Sequence, residues 1–303
     1  MLMLLDAPSL YFRAFFGVPD SVRAPDGSPV NAVRGFFDFV ATLVRTRRPS
    51  DLVACMDADW RPAFRVDALP SYKTHRVAPA GGEEVPDDLG PQVPVIEAVL
   101  DALGIARLGM PGYEADDVIG TLATRATGPV EVVTGDRDLF QLVDDARGAR
   151  VLYIARGISK LEVVDESVVT AKYAIPGRSY AAFATLRGDP SDGLPGVPGV
   201  GDKTAAALVT AHGDVAAIQA AAEDPASGLS PAVRRRLREA APYLAVAPAV
   251  VQVVRDIPVP ELATALSAAP ADPEALLALS DRWGLSSPLN RVLTALAEAA
   301  APG

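Results

Sequence analysis

Apolar and polar positions fall into short and long blocks along the first half of the chain. Leu2–Leu5 is an apolar run that ends at Asp6. Val30–Val44 carries Phe36, Phe37, Val40, Leu43 and Val44 at spacings that put them on one face of a helix. Asp51–Met56 is a second apolar run, and it too ends at an aspartate, Asp57. The pattern then predicts a helix over Asp87–Leu103, an extended segment over Ile105–Leu108, a helix over Tyr113–Ala126 and a strand over Val130–Thr134. Strands alternating with helices of this length predict an α/β fold, a mostly parallel sheet flanked by helices. From about Val164 the chain reads as helical and becomes Ala-rich, with Gly/Pro punctuation at Gly188–Gly201. We place a boundary near residue 165, with an α/β unit over 1–165 and a helical unit over 166–303. The polar, Pro/Gly-rich stretch Arg76–Gly90 reads as a mobile surface segment inside the first unit. Val292–Ala301 reads as an amphipathic or fraying helix without a chemical signal.

Composition removes several classes. In a chain of 303 residues, 50% apolar and 22% charged positions are the balance of a globular protein, not of a fibrous or wholly disordered one. The one cysteine, Cys55, excludes an internal disulfide and a four-cysteine zinc site. Two histidines, His75 and His212, exclude a histidine-rich metal centre. The apolar run at Met1–Leu5 is too short for a signal peptide or a membrane span, so a soluble, cytoplasmic protein is expected. With 28 Lys and Arg against 38 Asp and Glu, the net charge is −10, which taken alone argues against nucleic acid.

The placement of the acids changes that picture. Asp6 and Asp57 each follow an apolar strand, and Asp136 and Asp138 follow Val130–Thr134. Ligands of open α/β sheets gather at the carboxyl ends of the strands. Glu114, Asp116 and Asp117 open a helix, and Asp189 and Asp192 lie in the turn Gly188–Gly193. Each group has an ordinary explanation: acids cap and complement a helix start, and aspartate suits a Gly/Pro turn or a loop after a strand. Nine carboxylates aimed at one crevice, however, would repel one another unless a cation held them. Oxygen ligands without His or Cys suit Mg²⁺ or Mn²⁺ rather than zinc. Setting these nine aside leaves 29 acids against 28 cations, so the rest of the surface is close to neutral and a nucleic-acid substrate stays open.

A second signal lies at Gly193–Ala205, a glycine-rich loop running into a helix. Gly196, Gly199 and Gly201 allow close backbone approach, and Lys203 and Thr204 stand on the first helical turn, where free N–H groups favour an anion. The segment before it, Ser179–Leu186, reads as helical, which removes a dinucleotide fingerprint; the residue order of a P-loop is absent. A helical hairpin gripping a DNA phosphate and a plain tight turn both remain.

Gly112-Tyr-Glu-Ala-Asp-Asp117, Thr134-Gly-Asp-Arg-Asp138 and Gly188-Asp-Pro-Ser-Asp-Gly-Leu-Pro-Gly-Val-Pro-Gly-Val-Gly-Asp-Lys-Thr-Ala205 together resemble the 5′-nuclease superfamily. That family includes the N-terminal domain of bacterial DNA polymerase I and the flap endonucleases. The likeness spans roughly residues 2–255, and with no polymerase domain following, it looks like the stand-alone bacterial form. It implies a PIN-like α/β core, a helix–three-turn–helix at about 180–213, and an arch segment at about 66–90. The implied metal ligands are Asp6, Asp57, Glu114 and Asp116 for one ion and Asp136, Asp138 and Asp192 for another, with Asp116 bridging and Asp117 and Asp189 acting partly through water. Two or three Mg²⁺ or Mn²⁺ ions would then activate water and clamp the scissile phosphate, with a potassium ion on the carbonyls of the hairpin turn. Tyr72, Lys73 and Arg76 match the base of the arch, Lys73 beside the attacked phosphate and Tyr72 stacking on an unpaired base. Read from the residues alone, these are equally a half-buried tyrosine and two solvated charges. Arg13 matches a phosphate-facing position.

The implied activity is that of a monomeric 5′-3′ exonuclease and flap endonuclease acting on DNA in replication or repair. Two departures stand out: Gly193 occupies the place of the family's usual Asn beside Asp192, and Val66–Gly90 is short for a closed arch. The run Arg234, Arg235, Arg236 and Arg238 reads either as a duplex-tracking patch or as a solvated helix face. The rival functions are a non-catalytic DNA-structure-binding protein, a PIN-type ribonuclease and a metal-dependent phosphatase. All nine acids count against the first, the hairpin against the second, and the lack of an Asp-nucleophile motif against the third.

Overall fold

The computed structural model describes residues 1–300; Ala301, the last residue of the expected tail helix, lies outside them. Its strands are β1 (Leu2–Asp6), β2 (Asp51–Cys55), β3 (Ala106–Leu108), β4 (Val130–Thr134), β5 (Ala149–Tyr153) and β6 (Glu162–Val164). They form one sheet in the order β3-β2-β1-β4-β5-β6, parallel except for β6. The helices of the first half are α1 (Ala7–Gly17), α2 (Asn31–Arg47), α3 (Ala63–Ala68), α4 (Val93–Leu103) and α5 (Ala115–Arg125). Then follow α6 (Glu166–Tyr173), α7 (Tyr180–Arg187), α8 (Asp202–His212), α9 (Val215–Glu223), α10 (Pro231–Glu239) and α11 (Ala241–Val251). The last two are α12 (Pro273–Trp283) and α13 (Ser286–Ala300).

Period-two alternation along the strands feeds two cores. Met3, Leu5, Leu52, Ala54, Val133 and Leu152 point to the face covered by α1, α2 and α4. The predicted helical stripe Phe36, Phe37, Val40, Leu43 and Val44 is buried there. Leu4, Val53, Cys55, Val132 and Val151 point to the opposite face, covered by α5. This second core runs on without a break through Phe140 and Phe183 to Leu208 and Leu244. Packing is thus continuous across residue 165, although every described helix or strand from Glu166 onward is helical. The helices α12 and α13 return to the first face, where Leu276, Leu289, Val292 and Leu296 join the core of α2.

The helix expected from Asp87 begins only at Val93. A single 3-10 turn, Gly90–Gln92, precedes it. Pro91 lacks an N–H, and the Gln92 side chain is turned away to accept the Ala32 N–H at 2.8 Å. Residues 66–90 form no long arch: after α3 the chain makes one 3-10 turn, Thr74–Arg76, and then folds back through a bridge between Val77 and Glu83.

Strand order sets the place of the site. From β1 the chain moves outward through β2 to β3, then crosses back to β4 and continues to β5. The direction of winding reverses between β1 and β4, and such a switch point opens a crevice at the carboxyl ends. Asp6 ends β1, and Gly135 and Asp136 follow β4.

Candidate active site

An open crevice of about 860 Å³ lies at that switch point, and Asp6, Asp57, Glu114, Asp116 and Asp136 line it together with Arg13, Lys73 and Arg76. Asp6 caps α1 by accepting the Ser9 N–H at 3.1 Å. Its other oxygen accepts from the Thr134 hydroxyl at 2.6 Å. Thr134 Oγ1 in turn accepts the Asp136 N–H, and Asp136 Oδ1 accepts the Asp138 N–H. Asp57 accepts the Ala115 N–H at 2.7 Å at the start of α5. Glu114 is the N-cap of α5 and is drawn to three donors: Lys73 Nζ, Tyr72 Oη at 2.8 Å and Arg65 Nη1 at 2.5 Å.

Burial makes these acids resist charge. It pushes Asp6 up to about 6 against the Thr134 and Ser9 hydrogen bonds, with the Asp136 charge adding to the rise. Asp57 goes up to about 7, by burial and then Glu114 against the Ala115 N–H. Asp192 goes up to about 6, burial outweighing Lys73 and Arg76. Asp116 and Asp138 rise well above the carboxylate range, through burial and then their acidic neighbours. Burial opposes the charge of Lys73 too, but Glu114 beside it holds its ammonium well above the usual lysine value.

The structure separates the nine acids. Among the described residues no three His, Cys, Asp or Glu side chains already stand as a chelating set. Asp6, Asp57, Glu114, Asp117, Asp136, Asp189 and Asp192 are each engaged by a protein donor instead, which offsets their mutual repulsion. Asp117 is no crevice ligand: it is fully buried behind Glu114, where Arg65 pairs with both its oxygens at 2.7 and 2.6 Å and the Val254 N–H bonds it at 2.9 Å. Asp189 does ordinary turn work, accepting the Ser191 N–H at 2.8 Å and the Ser191 hydroxyl at 2.5 Å. Asp192 meets Arg76 Nη2 at 2.8 Å. Asp138 stands close enough to Asp136, Asp192 and Asp189 to feel their charge.

The cationic residues divide as well. Lys73 and Arg76 reach the crevice as expected from the resemblance, each resting on an acid. Tyr72 cannot stack on a base, because it is buried and its hydroxyl is committed to Glu114. Arg13 lines the crevice, donating to the Ala155 carbonyl at 2.5 Å. Arg65, which the sequence reading passed over, is 2% exposed and joins α3 to Glu114, Asp117 and the Val250 carbonyl. A single arginine in a short helix looks like any solvated charge, and only the two acids of α5 hinted at a buried partner. Thr134, quoted only as part of a motif, is the hub between Asp6 and Asp136.

The hairpin is the exposed counterpart. Gly201 precedes α8 without a side-chain cap, Lys203 is exposed and Thr204 half-buried. Gly199 has φ +74°, and the place of a Cβ is filled by the Arg236 guanidinium, whose Nη1 donates to the Gly199 carbonyl at 3.0 Å. Its glycine is required by the fold as it stands, without any phosphate. Gly201 has open space beside it. The arginine run is largely tied down: Arg234 bonds the Ala222 carbonyl, Arg238 pairs with Glu223 and Arg235 with Glu239.

A largely parallel sheet with acids and ion-paired cations facing each other at its switch point is a design for handling phosphate esters. Comparison with known proteins gives that class a family. Residues 1–174 match the model of the 5′-3′ exonuclease N-terminal resolvase-like domain, and residues 175–274 that of its C-terminal SAM fold. The chain belongs to the 5′-3′ exonuclease family and hydrolyses phosphodiester bonds. It is 65% identical over 299 residues to a 5′-3′ exonuclease of Streptomyces coelicolor, covering 97% of this chain and 99% of that one. A 5′-3′ exonuclease of Mycobacterium tuberculosis is 52% identical, over 97% of each. DNA polymerase I of Mycobacterium bovis is 37% identical over 99% of this chain, which spans 32% of that protein. Among solved structures, a bacteriophage T5 flap endonuclease in complex with DNA and metal ions has the same fold, with a TM-score of 0.62 at 15% identity over 98% of each chain.

Proposed function

We propose that the chain is a divalent-metal-dependent 5′ nuclease that cuts DNA exonucleolytically from 5′ ends and endonucleolytically at 5′ flaps. The observation that carries this reading is the meeting, in one crevice, of acids from three strand ends (Asp6, Asp57 and Asp136) and from the start of α5 (Glu114 and Asp116) with cations from the base of the 66–90 segment. An all-oxygen donor set, held in surroundings that disfavour its charge, fits hard Mg²⁺ or Mn²⁺ ions, two or three in number. Asp6, Asp57, Glu114, Asp116 and Asp136 would hold them, with Asp138 and Asp192 behind. Such ions would supply Lewis acidity toward the phosphate and make water a better nucleophile. The solved T5 relative carries metal ions and DNA, which supports the reading.

The protein's own residues have the remaining tasks. Lys73 and Arg76 now neutralise Glu114 and Asp192. When those acids serve a metal, both cations are free to meet the substrate phosphate, where a fixed positive charge opposes the charge that develops. Arg13 has a buried Nε without a hydrogen-bond partner among the described residues, which suits a further phosphate contact. The hairpin from Tyr180 to Gly213 takes the duplex backbone on the open α8 start with Lys203 and Thr204, and a potassium ion would sit on its turn carbonyls. In this division of labour residues 1–165 do the chemistry and the helices of 166–303 the gripping, with α12 and α13 bracing the first unit. No step requires a second copy, so the working form is a monomer. No single helix among the described residues is long and apolar enough to cross a membrane, which fits work on DNA in the cytoplasm.

The test is incubation with a 5′-labelled flap duplex, with Mg²⁺ or Mn²⁺ and with chelator. Release of the intact flap and of 5′ mononucleotides only when an ion is present is expected. Equal cleavage in chelator, or cleavage of RNA alone, rejects the reading.

A further inference from the structure

The base of the 66–90 segment is fastened to the hairpin turn by contacts to its backbone that the catalytic reading does not use, beside the Arg76–Asp192 pair that it does. The Lys73 N–H donates to the Asp192 carbonyl at 3.0 Å. The Ser71 hydroxyl donates to the Gly193 carbonyl at 3.0 Å. Arg76 Nη2 donates at 2.8 Å both to the Ser191 carbonyl and to Asp192 Oδ1. Lys73 itself has φ +48°, a left-handed conformation that a side-chain-bearing residue rarely keeps unless its surroundings enforce it.

Gly193 is where the two segments touch. Its φ is +75°, and a Cβ built there runs into the Ser71 carbonyl oxygen, well inside van der Waals contact. The obstacle is backbone, so no side-chain rotation relieves it. Two explanations of the glycine can be told apart. Asparagine, the family's usual residue here, tolerates a left-handed φ far better than alanine. A need for φ alone would therefore favour asparagine over alanine, whereas the contact excludes both.

We propose that Gly193 is a positioning residue for phosphodiester cleavage: by admitting the Ser71 carbonyl it joins the turn to the segment base, so that Lys73, Arg76 and Asp192 are set as one unit. The inference rests on the reading of Lys73 and Arg76 as phosphate-facing cations. With a Cβ at 193 the segment base must lift off, Lys73 loses the bond that holds its backbone, and both cations swing away from the crevice.

The experiment compares the full-length parent with Gly193→Asn, Gly193→Ala, Ser71→Ala and Lys73→Ala. Single-turnover cleavage of a flap duplex, duplex affinity, melting temperature and trypsin cleavage after Lys73 and Arg76 in DNA-free protein are measured. Gly193→Asn and Gly193→Ala should both cut more than about tenfold more slowly, with duplex affinity and melting temperature near the parent's and tryptic cleavage accelerated. Ser71→Ala, which removes one hydrogen bond and adds no atom, should shift rate and trypsin sensitivity the same way but less. Parental rate and trypsin resistance in Gly193→Asn, with loss only in Gly193→Ala, would mean that φ alone matters and overturn the proposal. Unaltered trypsin sensitivity in all three variants overturns it too, including where the Gly193 variants melt early. If Lys73→Ala cuts at the parental rate, the catalytic reading of Lys73 fails, while the tryptic comparison still decides the junction.

Discussion

The acid crevice and the hairpin around Gly199–Thr204 are built by opposite means, and in the proposed reading both meet the same substrate. In the crevice Asp6, Asp57, Glu114 and Asp136 each accept from a named donor, so these side chains are oriented before anything binds. On the hairpin the α8 start is uncapped and Lys203 is exposed. Chemistry needs groups that cannot wander, and burial supplies that at the cost of reluctant charges. Duplex backbone is large and repetitive, and an open row of N–H groups with one mobile cation suffices to meet it. The two regions should therefore fail separately.

The largest effect is expected in the crevice. Asp116→Asn or Asp136→Asn keeps shape but removes a ligand charge, and cleavage should fall about a thousandfold, about 4 kcal/mol of barrier. The fall should be the same on a flap duplex and on a small phosphodiester, with duplex binding retained. A variant that stays active on the small ester breaks the comparison.

Next comes the support behind the crevice. Arg65→Met strands two buried acids, and breaking a buried ion pair costs about 3–5 kcal/mol. Denaturant unfolding should show that loss, and adding Asp117→Asn should return part of it. Full parental stability in Arg65→Met would remove the buried network from the account of the site.

A smaller effect follows from the raised carboxyls. Asp6 and Asp192 near 6 and Asp57 near 7 lie above the ordinary aspartate value of about 3.9, so between about pH 4 and 7 the folded chain binds more protons than the unfolded one. Stability of the metal-free protein should fall as pH rises through that window. Divalent ions compete with the same protons, so Mg²⁺ should raise the melting temperature more at pH 8 than at pH 5.5. Thermal melts at both values, with and without the ion, read this directly; a larger rise at the lower pH contradicts it.

The smallest effect belongs to the hairpin. Lys203→Ala deletes one exposed ionic contact, so the slope of log affinity against log salt should become shallower by about one. Hydrolysis of the small ester should not change. Equal losses on ester and duplex would place Lys203 in support of the crevice.

The same contrast decides what the sequence could reveal. Apolar runs leading to Asp6, Asp57 and Asp136 are local signals, whereas the strand order rests on pairing between distant segments and is not written in any one of them. Asp116 and Asp117 could not be told apart, because neighbours on a helix diverge by about 100° and only packing says which one faces in. Asp116 meets the crevice and Asp117 meets Arg65. Tyr72 was misjudged because its burial depends on Glu114, 42 residues away. The strands β5 and β6 are hard to read from the sequence because the exposed Arg150 interrupts the apolar run of the first, and the second is a three-residue edge strand. The need for glycine at 193 was invisible, since the atom that requires it belongs to residue 71.

The return of α13 to α2 has a bearing on the history of each molecule. Phe36 and Phe37 lie on α2, yet the core they join also holds Leu289, Val292 and Leu296, and Arg291 pairs with Asp38 at 2.5 Å. Contacts of such long sequence separation are slow to form and leave apolar surface open in the meantime. A chain truncated after residue 285 is thus expected to expose this face to chaperones and to a protease probe, and the full chain to bury it. Until α13 docks, a partly folded nuclease would stay unfinished on the side of the sheet that carries α1 and its Asp6 cap.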